Sequence, residues 1–102
     1  MAVTSTYLAK LLRAVRIKTA TNDATAEITD LVNECRADLQ SLGVLESKVS
    51  DETDDLILGA VRCFVRWKLA PDDKEAAYNR DDYMILRDEL RRKEAYTVAN
   101  DG

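Results

Sequence analysis

The chain of 102 residues reads as an all-α protein, a small bundle of about four helices around a central apolar helix at about 52–70. Three observations predict this. Apolar residues recur at i, i+3, i+4 and i+7 through most of the sequence, the spacing of one helix face. No stretch alternates apolar and polar residues with the period of a strand. Residues 56–69 hold ten apolar side chains against only Arg62, Arg66 and Lys68 as charges, so apolar residues surround most of that helix. A surface helix shows one apolar face; this one must be central, or shared with a second subunit. Its narrow polar stripe is Asp55, Gly59, Arg62 and Arg66.

The first helix is expected at about 6–16, with Leu8, Leu11, Leu12 and Val15 on one side. The polar stretch 19–22 breaks the pattern. The second runs over about 23–42, with Ile28, Leu31, Val32, Cys35, Leu39 and Leu42 in a stripe. Asn22 is the expected N-cap, and Asp23 and Glu27 suit the positive end of the helix dipole. Gly43 stands where a helix ends in the left-handed region. Residues 44–50 read as a linker, and Ser50 as the cap of the third helix, whose first turn holds Asp51, Glu52, Asp54 and Asp55. Pro71 ends that helix by disfavouring helical geometry at Ala70. Asp72 and Glu75 have the spacing of a capping box for the fourth helix. It runs to about Tyr96 with Ala76, Tyr83, Leu86 and Leu90 inward, and 97–102 form a flexible polar tail. The whole, 1–102, is one helical domain.

Charge is segregated. Residues 1–18 carry Lys10, Arg13, Arg16 and Lys18 with no acid, whereas 22–55 carry ten acids against Arg36 and Lys48. The net charge of −4 argues against a DNA-binding module, which shows a basic footprint. Residues 1–6 lack the pattern of a signal peptide, and 56–69 is too short and too charged for a membrane span.

The chain has no histidine, which removes Ser-His and Cys-His pairs and His metal sites together. There is no phosphate-binding glycine loop. Cys35 and Cys63 read as buried thiols. The carboxylates at 51–55 and 81–82 lack the loop spacing of a cation site. No enzyme, metal or cofactor is therefore expected. Lys10, Arg13 and Arg16 form a solvated or partner-facing side of the first helix. Trp67 and Phe64 are either core residues or, with Trp67 near the helix end beside Arg62 and Arg66, a subunit anchor.

The order of these segments carries a resemblance. A basic helix ending Leu11-Leu-Arg-Ala-Val-Arg-Ile17 leads into Ile28-Thr-Asp-Leu-Val-Asn-Glu-Cys-Arg-Ala-Asp-Leu-Gln-Ser-Leu-Gly-Val44. An acidic cap then enters Asp54-Asp-Leu-Ile-Leu-Gly-Ala-Val-Arg-Cys-Phe-Val-Arg-Trp-Lys68, and a helix bearing Tyr78 and Tyr83 follows. Over residues 7–96 this resembles the small helical head–tail connector, or head-completion adaptor, family of tailed phages and prophages. It departs at Cys35, Arg36 and Cys63, where small or aliphatic residues are commoner. The resemblance implies a ring, often dodecameric, beneath the portal at the head–tail junction of the virion. The ring is built in the bacterial host cytoplasm, completes the DNA-filled head and offers an attachment surface to a stopper or tail-completion protein. DNA passes without sequence-specific contact. By analogy, Tyr96, Thr97 and Val98 are the expected portal contact.

A ring needs two different patches on each subunit. The basic first helix and the acidic stretch 23–55 are expected to meet head-to-tail, with Lys10, Arg13, Arg16, Arg62, Arg66 and Trp67 at the subunit interface. Acids facing a channel repel phosphate, and Glu46, Asp51 and Glu52 are the expected channel-facing set. The alternative is a cytoplasmic helical adaptor or regulatory subunit, unrelated to phage, that dimerises through the third helix.

Overall fold

A computed structural model describes residues 3–15 and 22–98. It is all-α, with six helices and no strand among the described residues. Helix α1 (Ser5–Ala14) starts at Thr4, whose hydroxyl accepts from the Tyr7 N–H at 3.2 Å. Helix α2 spans Asn22–Ser41. Asn22 therefore lies inside the helix rather than just before it.

The end of α2 is a Schellman motif. Gly43 sits at φ 101°. Its N–H bonds the Gln40 carbonyl at 3.0 Å, and the Val44 N–H reaches back to Leu39 at 3.2 Å. Leu39 and Val44 are both buried, which adds the apolar contact that accompanies this motif.

The expected linker contains a short helix, α3 (Glu46–Val49), held down by buried Val44 and Val49. The cap of α4 (Asp55–Leu69) is Asp54, not Ser50: its carboxylate accepts from the Ile57 N–H at 2.9 Å. The Ser50 hydroxyl is spent on the Glu46 carbonyl at 2.7 Å, one turn back in α3. At Ala70, before Pro71, the backbone leaves the helical region (φ −136°, ψ 68°).

Helix α5 (Ala76–Arg92) starts without a capping box. Asp73 rather than Asp72 accepts, taking the Glu75 N–H at 2.8 Å, and Glu75 makes no side-chain cap. The chain extends at Lys93 and turns into α6 (Glu94–Thr97), so the helix expected to run through Tyr96 is broken. Long-range bonds account for the break. The Tyr96 hydroxyl donates to Asp54 at 2.9 Å, and its carbonyl accepts from the Leu45 N–H at 2.9 Å. Thr97 closes α6 instead of opening a tail, and 99–102 lie outside the described residues.

Helix α4 is the centre. Ile57, Leu58, Ala60, Val61, Phe64 and Val65 are buried, against Tyr7 and Leu11 of α1, the Ile28–Val32–Cys35–Leu39 stripe of α2, and Tyr83 and Leu90 of α5. After a short connection α5 doubles back along α4, and a Cβ on Gly59 would come within 3.9 Å of Leu86.

Asp54 thus serves α4 and α6 at once. Asp54→Ala is expected to cost about 2 kcal/mol, a lost cap plus a lost hydrogen bond, and Tyr96→Phe about 1 kcal/mol. Urea unfolding midpoints check this; an unchanged midpoint for Tyr96→Phe would mean the Tyr96 bond contributes nothing, and equal costs that the cap contributes nothing.

Candidate interaction surface

Four of the acids at 22–55 are consumed inside the chain. Glu52 turns inward. Its carboxylate accepts from the Thr4 N–H at 3.0 Å and from the Thr4 hydroxyl, and lies 3.6 Å from the Arg36 guanidinium. Arg36 is 0% exposed, Glu52 19%, and the guanidinium also stands 5.7 Å over the Tyr7 ring. One carboxylate so ties the start of α1 to α2 through a buried cation. Burial pushes the Tyr7 hydroxyl up to about 12.

Asp38 on α2 accepts from Arg87 Nε at 2.8 Å and from the Tyr83 hydroxyl at 2.6 Å. The hydrogen bonds from Arg87 hold its carboxyl below the usual range, while burial drives Tyr83 upward. The Cys35 thiol donates to the Tyr83 oxygen at 3.8 Å, and burial lifts it to about 12. Cys63 is half-buried; both cysteines are free. Asp51 accepts from the backbone and hydroxyl of Thr53 at 3.0 and 2.6 Å, and Asp54 is taken by Ile57 and Tyr96.

The expected interface residues differ in exposure and in what they bind. Arg13 is exposed and Lys10 half-buried; Arg16 lies outside the described residues. Arg66 is exposed, but its Nε donates to the Ala14 carbonyl at 3.0 Å. It closes the C-terminal end of α1, where a cation is favoured. Arg62 is half-buried. Trp67 packs on its own chain, with ring centroids 5.8 Å from Phe64 and 6.3 Å from Tyr83 and the Lys68 ammonium 4.1 Å over its face. Of the expected channel acids only Glu46 is both exposed and free of side-chain bonds among the described residues. Of the expected portal contact, Tyr96 is bound to Asp54, the Thr97 hydroxyl donates to the Lys93 carbonyl at 3.0 Å, and Val98 is exposed.

Two other surfaces stand out. Asp23, Glu27, Asp30 and Glu34 are all exposed on α2, at i, i+4, i+7 and i+11, in one line. None has an ion pair among the described residues. The spacing is visible in the sequence, within the acidic stretch 23–55. On α5, Tyr78 and Ile85 are 71% and 60% exposed. A cleft of about 290 Å³ opens between the end of α1 and the α4–α5 turn, lined by Val15, Arg66, Asp73 and Asn79 among others. It holds no paired nucleophile and base. Among the described residues, no three His, Cys, Asp or Glu side chains come together in a way that could hold a metal.

No protein-family model, curated protein or solved structure matches this chain.

Removing one partner of a buried ion pair leaves a buried charge, so Glu52→Gln is expected to cost about 3 kcal/mol, and Arg36→Met with Glu52→Gln less than that. Thermal unfolding of both variants decides; a milder single variant would contradict the pairing. The lowered Asp38 pKa gives stability that is present above about pH 4, the unfolded carboxyl value, and lost as pH falls through the folded value. Asp38→Asn is therefore expected to lower the urea midpoint at pH 7 and to narrow its gap to wild type below pH 3; a gap independent of pH would refute this.

Proposed function

We propose that this chain is a structural virion-assembly protein, a head–tail connector of the tailed-phage type it resembles. Copies associate head-to-tail into a ring beneath the portal. The ring completes the DNA-filled head, presents the surface for the stopper or tail, and lets DNA pass without reading it. The observation that supports this best is the separation of unneutralised surface charge onto two helices, acids in a line on α2 and cations on α1. Closed rings need two different, complementary patches. The chain lacks histidine, which fits a scaffold role. No described helix is long and apolar enough to cross a membrane.

The placement of Trp67 on its own Phe64 and Tyr83 weighs against a dimer built on α4, the competing adaptor reading. Half-burial on its own rings also weighs against Trp67 as the subunit anchor, and the bonds of Glu52 to Thr4 and Arg36 weigh against its facing a channel.

Light scattering and negative-stain microscopy of the protein, alone and with a tailed-phage portal protein, test the reading. A closed ring of many copies is expected in low salt. It should shrink toward smaller species at 1 M salt, where the Debye length is about 3 Å, and with Arg13→Glu plus Arg16→Glu. A salt-insensitive dimer, with or without portal, would favour the adaptor instead.

A further inference from the structure

We infer that the carboxylate line Asp23–Glu27–Asp30–Glu34 on α2 is the socket for α1 of the next copy, gripped through Lys10 and Arg13. This rests on the head-to-tail ring reading and narrows it from an acidic stretch to four side chains.

The other acids of the stretch are largely unavailable. Asp38, Asp51, Glu52 and Asp54 are committed to Arg87, Thr53, Thr4 with Arg36, and Ile57 with Tyr96. The four on α2 are exposed and form no ion pair among the described residues. Steps of four, three and four residues keep them within about 60° around the helix, and at 1.5 Å per residue they extend for about 16 Å. Lys10 and Arg13 repeat the central step of three, so they can face Glu27 and Asp30 at matched height. They too have no ion pair within the described residues, although α1 packs against α2 of the same chain. Ala26 and Ala37, on the same face of α2, are exposed and leave room for a helix to lie close.

α1 is fixed by Tyr7 and Leu11 in the core and by Thr4 on Glu52, and in that position neither Lys10 nor Arg13 pairs with an acid among the described residues. A second copy offers the same α1 in a free orientation. Because donor and acceptor patches differ, the contact repeats around a ring or along a filament.

Charge reversal tests this on the full chain. One variant carries Lys10→Glu and Arg13→Glu, the other Glu27→Lys and Asp30→Lys. Each alone sets like charge against like, and association is expected to weaken at least about tenfold at low salt. Mixed in equal amounts, the acidic α1 of the first meets the basic line of the second, and the basic α1 of the second meets the intact line of the first. Assembly should return in the mixture alone. Circular dichroism confirms folding, and Glu27→Gln with Asp30→Asn provides a milder variant with the same direction of effect. Single variants that assemble like wild type, or a mixture that stays dissociated while both partners are folded, would overturn the socket and leave the ring reading standing. A wild-type chain that forms no assembly larger than a dimer, even with portal, would overturn the ring reading itself.

Discussion

Helix α4 exposes a strip with Asp55 and Arg66 and, near its end, Lys68, and the arrangement of everything else follows from covering the rest. Six of its residues are buried, which a chain of this size can manage only by placing helices on several sides of it. α5 takes one side by doubling back through a short turn, α2 takes another with its stripe of Ile28, Val32, Cys35 and Leu39, and α1 lays Tyr7 and Leu11 into the gap. The strip left over is not idle: Arg66 reaches from it to the last carbonyl of α1. The position of α1 is therefore set twice, by apolar burial and by a cation at its negative end.

Three polar links hold the outer pieces to this centre, and each joins segments far apart in sequence. Glu52 with Arg36 and Thr4 joins the loop, α2 and α1; Asp38 with Arg87 and Tyr83 joins α2 and α5; Asp54 with Tyr96 joins the start of α4 to α6. Arg36 is the costly one, since a cation wholly out of water is stable only while its partners stay in place. The same links decide which acids reach the solvent. An acidic segment that looks uniform in sequence is divided by folding into carboxylates that hold the protein together and carboxylates that face outward.

The helices were readable because burial imposes a period, and α2 and α4 carry that period over several turns. Gly43 was readable because a left-handed residue after an apolar stripe has few other meanings. What was hidden lacked a period. α3 is four residues long, too short to show one. Among Asp51, Glu52, Asp54 and Asp55, nothing local says which is the cap, because all favour a helix start. The break at Lys93 has neither Gly nor Pro to mark it; it is imposed by the reach of Tyr96 to Asp54. The inward turn of Glu52 depends on Thr4 and Arg36, whose distances along the chain no pattern encodes. For the candidate surface, the residue types were visible and their commitments were not.

The line of acids on α2 then reads as a choice rather than an average. Like charges at i, i+3 and i+4 weaken a helix by a few tenths of a kcal/mol per pair, and Asp23, Glu27, Asp30 and Glu34 place three such steps in succession. Only Asp23, in the first turn, gains clearly from the helix dipole. Nothing within the described chain offsets the rest, although the fold shows, at Asp38 and Asp88, that it can pair acids with arginines on its surface. Places where a sequence breaks a local rule without internal compensation are where function is sought first. The compensation we propose is a cation-bearing helix of a second copy, and α1 suits it because Lys10 and Arg13 repeat the central step of the line and form no ion pair among the described residues.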